Sequence, residues 1–160
     1  MLIRPYQKSD FPVLVRMMEE FQDYLITLDP LKRLRRMPNY GNVYTRNSLK
    51  TVQKGKGVYI LAEESCAILG FIAGIVEEQS KSDLLETVPS KVGRILELYV
   101  DPSSRSHGVG TKLLDAMEKY FRARKCTVVC LEVFAPNTGA QLFYQKNGFV
   151  PRNIDMIKVL

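Results

Sequence analysis

The stretch from Glu97 to Lys125, ELYVDPSSRSHGVGTKLLDAMEKYFRARK, decides the fold. It opens inside an apolar run, Ile95-Leu96-Glu97-Leu98-Tyr99-Val100, that has strand composition and stops at Asp101-Pro102. After a serine-rich turn, Arg105-Ser106-His107-Gly108-Val109-Gly110 leads into a helical pattern. Val109, Leu113, Leu114, Met117, Tyr120 and Phe121 recur at helical spacing, with Lys112, Asp115, Glu118, Lys119 and Arg122 between them. The reading is a strand, a glycine loop and a helix that begins near Gly108. The first turn of a helix has backbone N–H groups without carbonyl partners and the positive end of the macrodipole. Gly108 and Gly110 lack the Cβ atoms that would hold an anion away, so the expected ligand is a phosphate or diphosphate.

Working outward, the 160 residues suit one domain, residues 1–160, and 46% hydrophobic content is ordinary for a globular protein. No apolar run reaches transmembrane length and Met-Leu-Ile-Arg-Pro-Tyr lacks a signal-peptide layout, so a cytoplasmic protein without a membrane partner is expected. Cys66, Cys126 and Cys130 lie in apolar strand-like runs without Cys-X-X-Cys spacing, and read as reduced core thiols. With His107 the only histidine, no metal is expected and a histidine-based triad is close to excluded. The formal charge of +6 favours an anionic partner without naming it.

In chain order, Leu2 to Tyr6 is a short strand, and Ser9 or Asp10 caps a helix with Pro12 in its first turn. Phe11, Leu14, Val15, Met18, Phe21 and Leu25 give that helix its buried face, and it ends before Asp29-Pro30. Between Lys32 and Lys56 lie eight basic residues and no acid, interrupted by Pro38-Asn39-Tyr40-Gly41. That segment is either solvated faces of a loop and a second helix, about Val43 to Gln53, or a site for an anionic partner. Val58–Ala62 and Cys66–Val76 predict an antiparallel hairpin, and Glu77–Glu86 a long surface connection. Cys126–Val133 predicts a strand, Pro136-Asn137 caps a helix to about Lys146, and Phe149-Val150 and Ile154–Leu160 read as closing strands. The expected order is β-α-α-β-β-β-α-β-α-β-β.

Spacing separates three kinds of phosphate loop. A P-loop needs a Gly-Lys-Ser/Thr ending that is absent, and a dinucleotide fingerprint needs a third glycine where Leu113 stands. Arg/Gln-X-X-Gly-X-Gly/Ala fits Arg105 to Gly110 and resembles the acetyl-CoA motif of the GNAT superfamily of N-acetyltransferases. Downstream, Leu131-Glu132-Val133, Asn137, Ala140, Phe143-Tyr144 and Gly148-Phe149 are similar to that superfamily's second signature block. Ser106 departs from the usual glycine, and the closing hairpin is very short.

The resemblance implies a single GNAT-like α/β domain, a mixed central sheet with splayed fourth and fifth strands flanked by about four helices. It further implies acetyl-CoA as acyl donor, an amine acceptor that is a small molecule or a protein amine, and leaves a homodimer open. Carried over by position, the backbone of Leu98, Tyr99 and Val100 would pair with the pantetheine arm. Arg105, Ser106, His107, Gly108, Val109, Gly110 and Thr111 would form the diphosphate loop, and Asn137 would hold the arm or the adenylate side from the other wall.

Amine acetylation needs a neutral nucleophile, and a lysine-type amine has a pKa near 10.4, so a base must take its proton. Glu97 and Glu132 each interrupt a β-rich run and are the candidate bases, against outward-facing or salt-bridged acids. Tyr144 is the candidate general acid toward the departing thiolate, against a core aromatic beside Phe143. His107 reads as exposed or phosphate-adjacent, and no cysteine as an acyl-enzyme nucleophile. The other class of function is a CoA-binding, non-catalytic nucleic-acid- or ribosome-associated protein using the basic 32–56 segment, in which only Tyr40 and Tyr44 offer rings for base stacking.

Overall fold

The computed structural model describes residues 1–159. Five strands form one sheet: β1 (Leu2–Pro5), β2 (Val58–Glu64), β3 (Ala67–Glu78), β4 (Lys91–Val100) and β5 (Val128–Cys130). They lie in sequence order, antiparallel from β1 to β4, with β5 parallel to β4. Parallel neighbours need a long crossover, and α4 (Val109–Ala123) supplies it. The other helices are α1 (Phe11–Leu28), α2 (Tyr40–Lys54), the single turn α3 (Asp83–Glu86) and α5 (Thr138–Lys146).

Each sheet face has its own core. On one, Leu14, Met17 and Met18 of α1 and Val52 of α2 pack on Tyr59, Leu61, Phe71, Ala73 and Tyr99. On the other, Val109, Leu113, Leu114, Met117 and Phe121 of α4 pack on Ile60, Ala62, Ile72 and Ile95. Phe121 fits because the strands beneath it are glycine: a Cβ on Gly93 would overlap its ring, and one on Gly74 would stand 2.8 Å from it. The start of α1 is tied to the sheet by Arg4, which donates to Asp10 at 2.8 and 2.9 Å and to Glu63 at 2.6 Å.

One irregularity positions the site. Ala73 pairs with Glu97 but Gly74 pairs with Ile95, so Leu96 is an extra residue on β4, a β-bulge. Strict alternation would keep odd-numbered residues on one face. Instead Gly93 and Ile95 face α4, whereas Tyr99 packs in the α1/α2 core and Glu97 bonds to α2. The bulge turns the Glu97 carboxylate to the α1/α2 side.

Several expectations change. α2 begins at Tyr40 rather than Val43, because Asn39 takes the left-handed conformation (φ 64°) and caps it. β3 runs on to Glu78, and the 77–86 connection contains α3. The sequence-predicted strand Cys126–Val133 shrinks to Val128–Cys130, the only stretch that pairs with β4. The closing strands at Phe149-Val150 and Ile154–Leu160 are absent among the described residues, and Leu160 itself lies outside them. Pro151 removes a ladder donor, and Ile154, Met156, Ile157 and Val159 have strand composition but stay exposed and pair with no strand among the described residues. Cys66 is not a core thiol: it is exposed in the β2–β3 turn with φ 64°, while Cys126 and Cys130 are half-buried. Among the described residues α3 is a single turn in a connection, which leaves α1, α2, α4 and α5 as the four helices expected around the sheet.

Candidate functional site

β4 and β5 pair only through Val92–Arg94 and Val128–Cys130. Beyond that point β4 keeps β3 as its neighbour, and the chain after β5 leaves the sheet. The parted strands open a cleft of about 230 Å³ between Ile95–Leu98 on one side and Leu131–Phe134 on the other. Phe21 and Leu25, the outer end of α1's apolar stripe, roof it with Tyr44 of α2, while Asn137, Ala140 and Tyr144 close it from α5.

Glu97 lies on the cleft wall and is only 7% exposed. Tyr44 donates to its Oε1 at 2.7 Å, and the Ser48 hydroxyl stands 3.4 Å from both carboxylate oxygens. Tyr59 in turn donates to Ser48 Oγ. Burial pushes the Glu97 pKa up, and the bonds from Tyr44 and Ser48 pull it partly back. Tyr44 and Tyr59 are held well above the usual phenol range, first by burial and then by the Glu97 charge. They are therefore neutral donors, Tyr44 to the Glu97 carboxylate and Tyr59 to Ser48.

The glycine loop forms the helix start that its sequence predicts. Gly108 caps α4 with φ 77°, and open space surrounds the place where its Cβ would stand. A Cβ on Gly110 would meet Phe143 of α5 at 3.3 Å. The first bond closing onto the cap runs from Lys112 N–H to Gly108 O at 3.1 Å, so the preceding N–H groups lack helical carbonyls. Val109 is 3% exposed and anchors α4 in the core, so only its backbone can serve a ligand. Ser106 has φ 64°, and Ser106, His107 and Thr111 are exposed. Arg105 turns back: its Nε donates to Val100 O at 3.1 Å and its guanidinium lies 5.1 Å over the Tyr24 ring.

Along β4, Leu98 and Val100 pack toward α4, while Tyr99 packs on Phe71 and Phe21 and donates to Glu20 at 3.0 Å. Asn137 caps α5 by accepting from Ala140 N–H at 3.2 Å. A second hollow, about 340 Å³, is lined by Glu20, Asp23 and Asp101 with Arg105 and three other residues. Three carboxylates against one arginine make it a poor place for a polyphosphate.

Tyr144 is largely buried between Phe143 and Phe149, and its hydroxyl makes no hydrogen bond among the described residues. Burial pushes its pKa up to about 12. Glu132 stands at the cleft rim with its side chain 94% exposed, 3.6 Å from Arg94. The structure thus brings Glu97, Glu132 and Tyr144 to one cleft in three different environments. No cluster of His, Cys, Asp and Glu among the described residues is arranged to hold a metal, and no helix among them is long and apolar enough to cross a membrane.

Sequence reasoning missed Tyr44 and Ser48 as partners of Glu97. The available signal was four-residue spacing: Tyr40, Tyr44 and Ser48 share one helical face. Tyr40 and Tyr44 stack on each other, centroids 5.1 Å apart, and Tyr44 is held by Glu97, so neither ring stands free. Within the basic segment, Arg36 pairs with Asp23 at 2.6 Å and Arg46 lies over the Phe11 ring.

Comparison with known proteins finds the same pattern. Residues 14–149 match the sequence model of the acetyltransferase (GNAT) family. An uncharacterised N-acetyltransferase of Methanocaldococcus jannaschii is 29% identical over 97 residues, 60% of this chain and 54% of that protein. Glucosamine 6-phosphate N-acetyltransferase 1 of Oryza sativa is 32% identical over 66 residues, 41% of this chain and 38% of that protein. The chain therefore spans about half or less of the curated relatives it matches. In structure it is similar to a tetramutant of the BH1408 protein of Bacillus halodurans, with a TM-score of 0.86 at 20% identity and 100% of both chains covered. At that identity the likeness shows the fold alone.

Proposed function

The chain belongs to the acetyltransferase (GNAT) family, and from that premise we propose that it transfers an acetyl group from acetyl-CoA to a primary amine by direct attack. The carrying observation is the coincidence of a helix start at Gly108–Gly110 that no side chain caps with a cleft between parted strands that holds one buried carboxylate. The residues present suit the donor: the N–H groups of Ser106 to Thr111 would receive the diphosphate, with Arg105 beside them. The unpaired edge of β4 at Leu98, Tyr99 and Val100 would run along the pantetheine arm, and Asn137 would face it from α5.

Glu97 acts as the general base. The amine nitrogen attacks the thioester carbonyl, its proton passes to Glu97 through water, and the C–N bond forms as the C–S bond breaks. Tyr144 is the general acid, giving its phenolic proton to the sulfur that leaves. Burial keeps that hydroxyl protonated, and with no other partner it is free to donate. We give the base to Glu97 rather than Glu132 because only Glu97 is buried and hydrogen-bonded; at the rim, Glu132 would draw cationic amines in. No acyl-enzyme is needed, and exposed Cys66 and half-buried Cys126 and Cys130 have no role in the step.

Two measurements test the proposal together: thiol release from acetyl-CoA with a panel of amines, and calorimetric binding of CoA. Gly108→Val adds a branched side chain at φ 77°, and Gly110→Leu drives one toward Phe143. Both should weaken CoA binding at least tenfold. Unchanged CoA affinity in both variants, or no CoA binding by the parent protein, refutes the proposal.

A further inference from the structure

Resting on that reading of the cleft, we infer that the acceptor is a primary amine borne on an aromatic or branched apolar body, with no phosphate or carboxylate close to its nitrogen. The first support is charge. Among the described residues, Glu97 and Glu132 are the only ones lining the cleft that carry a formal charge, and no Lys, Arg or His among them lines it. Arg94, 3.6 Å from Glu132, is held by both Glu77 oxygens at 2.8 and 2.9 Å, so its charge is already opposed. The basic residues of the 32–56 segment contribute none of the lining, and Arg36 and Arg46 among them are engaged elsewhere. An acceptor carrying an anion next to its amine would place that anion near a buried carboxylate with no free cation to balance it.

The second support is the wall opposite. Phe21 and Leu25 come from α1, Phe134 from the far side, and Tyr44 presents a ring backed by the stacked Tyr40. Beside Glu97 this gives an approaching ammonium a π face and a carboxylate together, and gives the body attached to it apolar surface. A polyamine fits less well, since its second cation would find only Glu132, which is exposed and shared with Arg94. A phosphosugar, the class named for the rice relative, would find no cation at all.

The test compares kcat/KM, by thiol release from acetyl-CoA, for 2-phenylethylamine, phenylalanine, spermidine and glucosamine 6-phosphate. Phenylalanine differs from 2-phenylethylamine only by a carboxylate, so this pair isolates the charge argument. The expected result is at least a tenfold advantage for 2-phenylethylamine over each of the others. In Leu25→Lys, which places a cation on the wall, the advantage over phenylalanine should shrink at least tenfold. Equal or better turnover of phenylalanine, spermidine or the phosphosugar overturns the assignment while leaving acetyl transfer standing. CoA binding with no amine of the panel turned over also overturns it, and failure to bind CoA removes the acetyltransferase reading beneath it.

Discussion

Replacing Glu97 by glutamine is the most direct probe of the proposed chemistry, because the structure separates its effect on the fold from its effect on the reaction. The side chain keeps its volume in a site that is 7% exposed. The amide oxygen can still accept from Tyr44, now at 2.7 Å from Oε1, and the amide nitrogen can donate to Ser48 Oγ. What disappears is the capacity to take a proton. A positioned general base contributes about 10²- to 10⁴-fold, which is about 2.7–5.5 kcal/mol of barrier at 1.36 kcal/mol per tenfold. At pH 7.5 and saturating acetyl-CoA, kcat for the best amine should therefore fall by at least a hundredfold in Glu97→Gln, with CoA affinity retained.

The pH dependence gives two further readouts with fixed signs. Burial raises the Glu97 pKa above its ordinary value near 4.5, so the parent enzyme loses activity on the acid side as Glu97 takes up its proton. Glu97→Gln lacks that limb. For stability, a raised folded-state pKa means the folded protein binds this proton more tightly than the unfolded chain does. The associated stability is complete below about pH 4.5 and is lost as pH rises through the folded pKa. Glutamine carries no such penalty, so the variant's Tm relative to the parent should be higher at pH 7.5 than at pH 4.5. Turnover within threefold of the parent at pH 7.5, or an acid limb that survives the substitution, refutes the assignment of Glu97 as base.

Two other outcomes follow from the same geometry. Tyr144→Phe removes a hydroxyl that makes no hydrogen bond among the described residues, so kcat should fall at least tenfold with Tm nearly unchanged; full turnover would remove Tyr144 from the mechanism. Phe121→Ala empties the space over Gly74 and Gly93 and should cost about 3–5 kcal/mol of unfolding free energy in urea titrations, the range for deleting a buried aromatic. A loss under 1 kcal/mol would mean that α4 does not rest on those glycines.

The parts of the fold that sequence could reveal are those fixed by local periodicity. α1 and α4 each bury one stripe, and the stripes in Leu14-Met18-Phe21 and Val109-Leu113-Met117-Phe121 are legible without neighbours. α2 was legible only in part. Its first turn holds Tyr40 and Gly41, poor helix formers by propensity, and Gly41 is there because a Cβ would stand 2.6 Å from Glu19 of α1. That reason exists only after the two helices have packed. The C-terminal segment fails in the opposite sense: strand composition at Ile154 to Val159 predicts pairing, but pairing is a property of two edges and not of one sequence. At the site, Glu97 was visible as an acid in an apolar strand, whereas Tyr44 and Ser48 are 53 and 49 residues away in sequence. Nothing local connects them to it.

The bulge at Leu96 explains why the carboxylate and the open cleft occur together. β4 loses its β5 neighbour after Arg94, and its side chains change face at Leu96, two residues later. The stretch of strand that exposes an unpaired edge is therefore the stretch that turns Glu97 toward α2. In the proposed reaction, an acyl carrier lying along that edge would hold its thioester beside the proton acceptor, the proximity that direct transfer needs. Straightening β4 by one residue would send Glu97 into the apolar layer of Leu113 and Met117, where neither Tyr44 nor Ser48 could reach it. A single extra residue thus couples the unpaired edge to the proposed base, and neither Glu97 nor the glycine loop alone would make the proposed site.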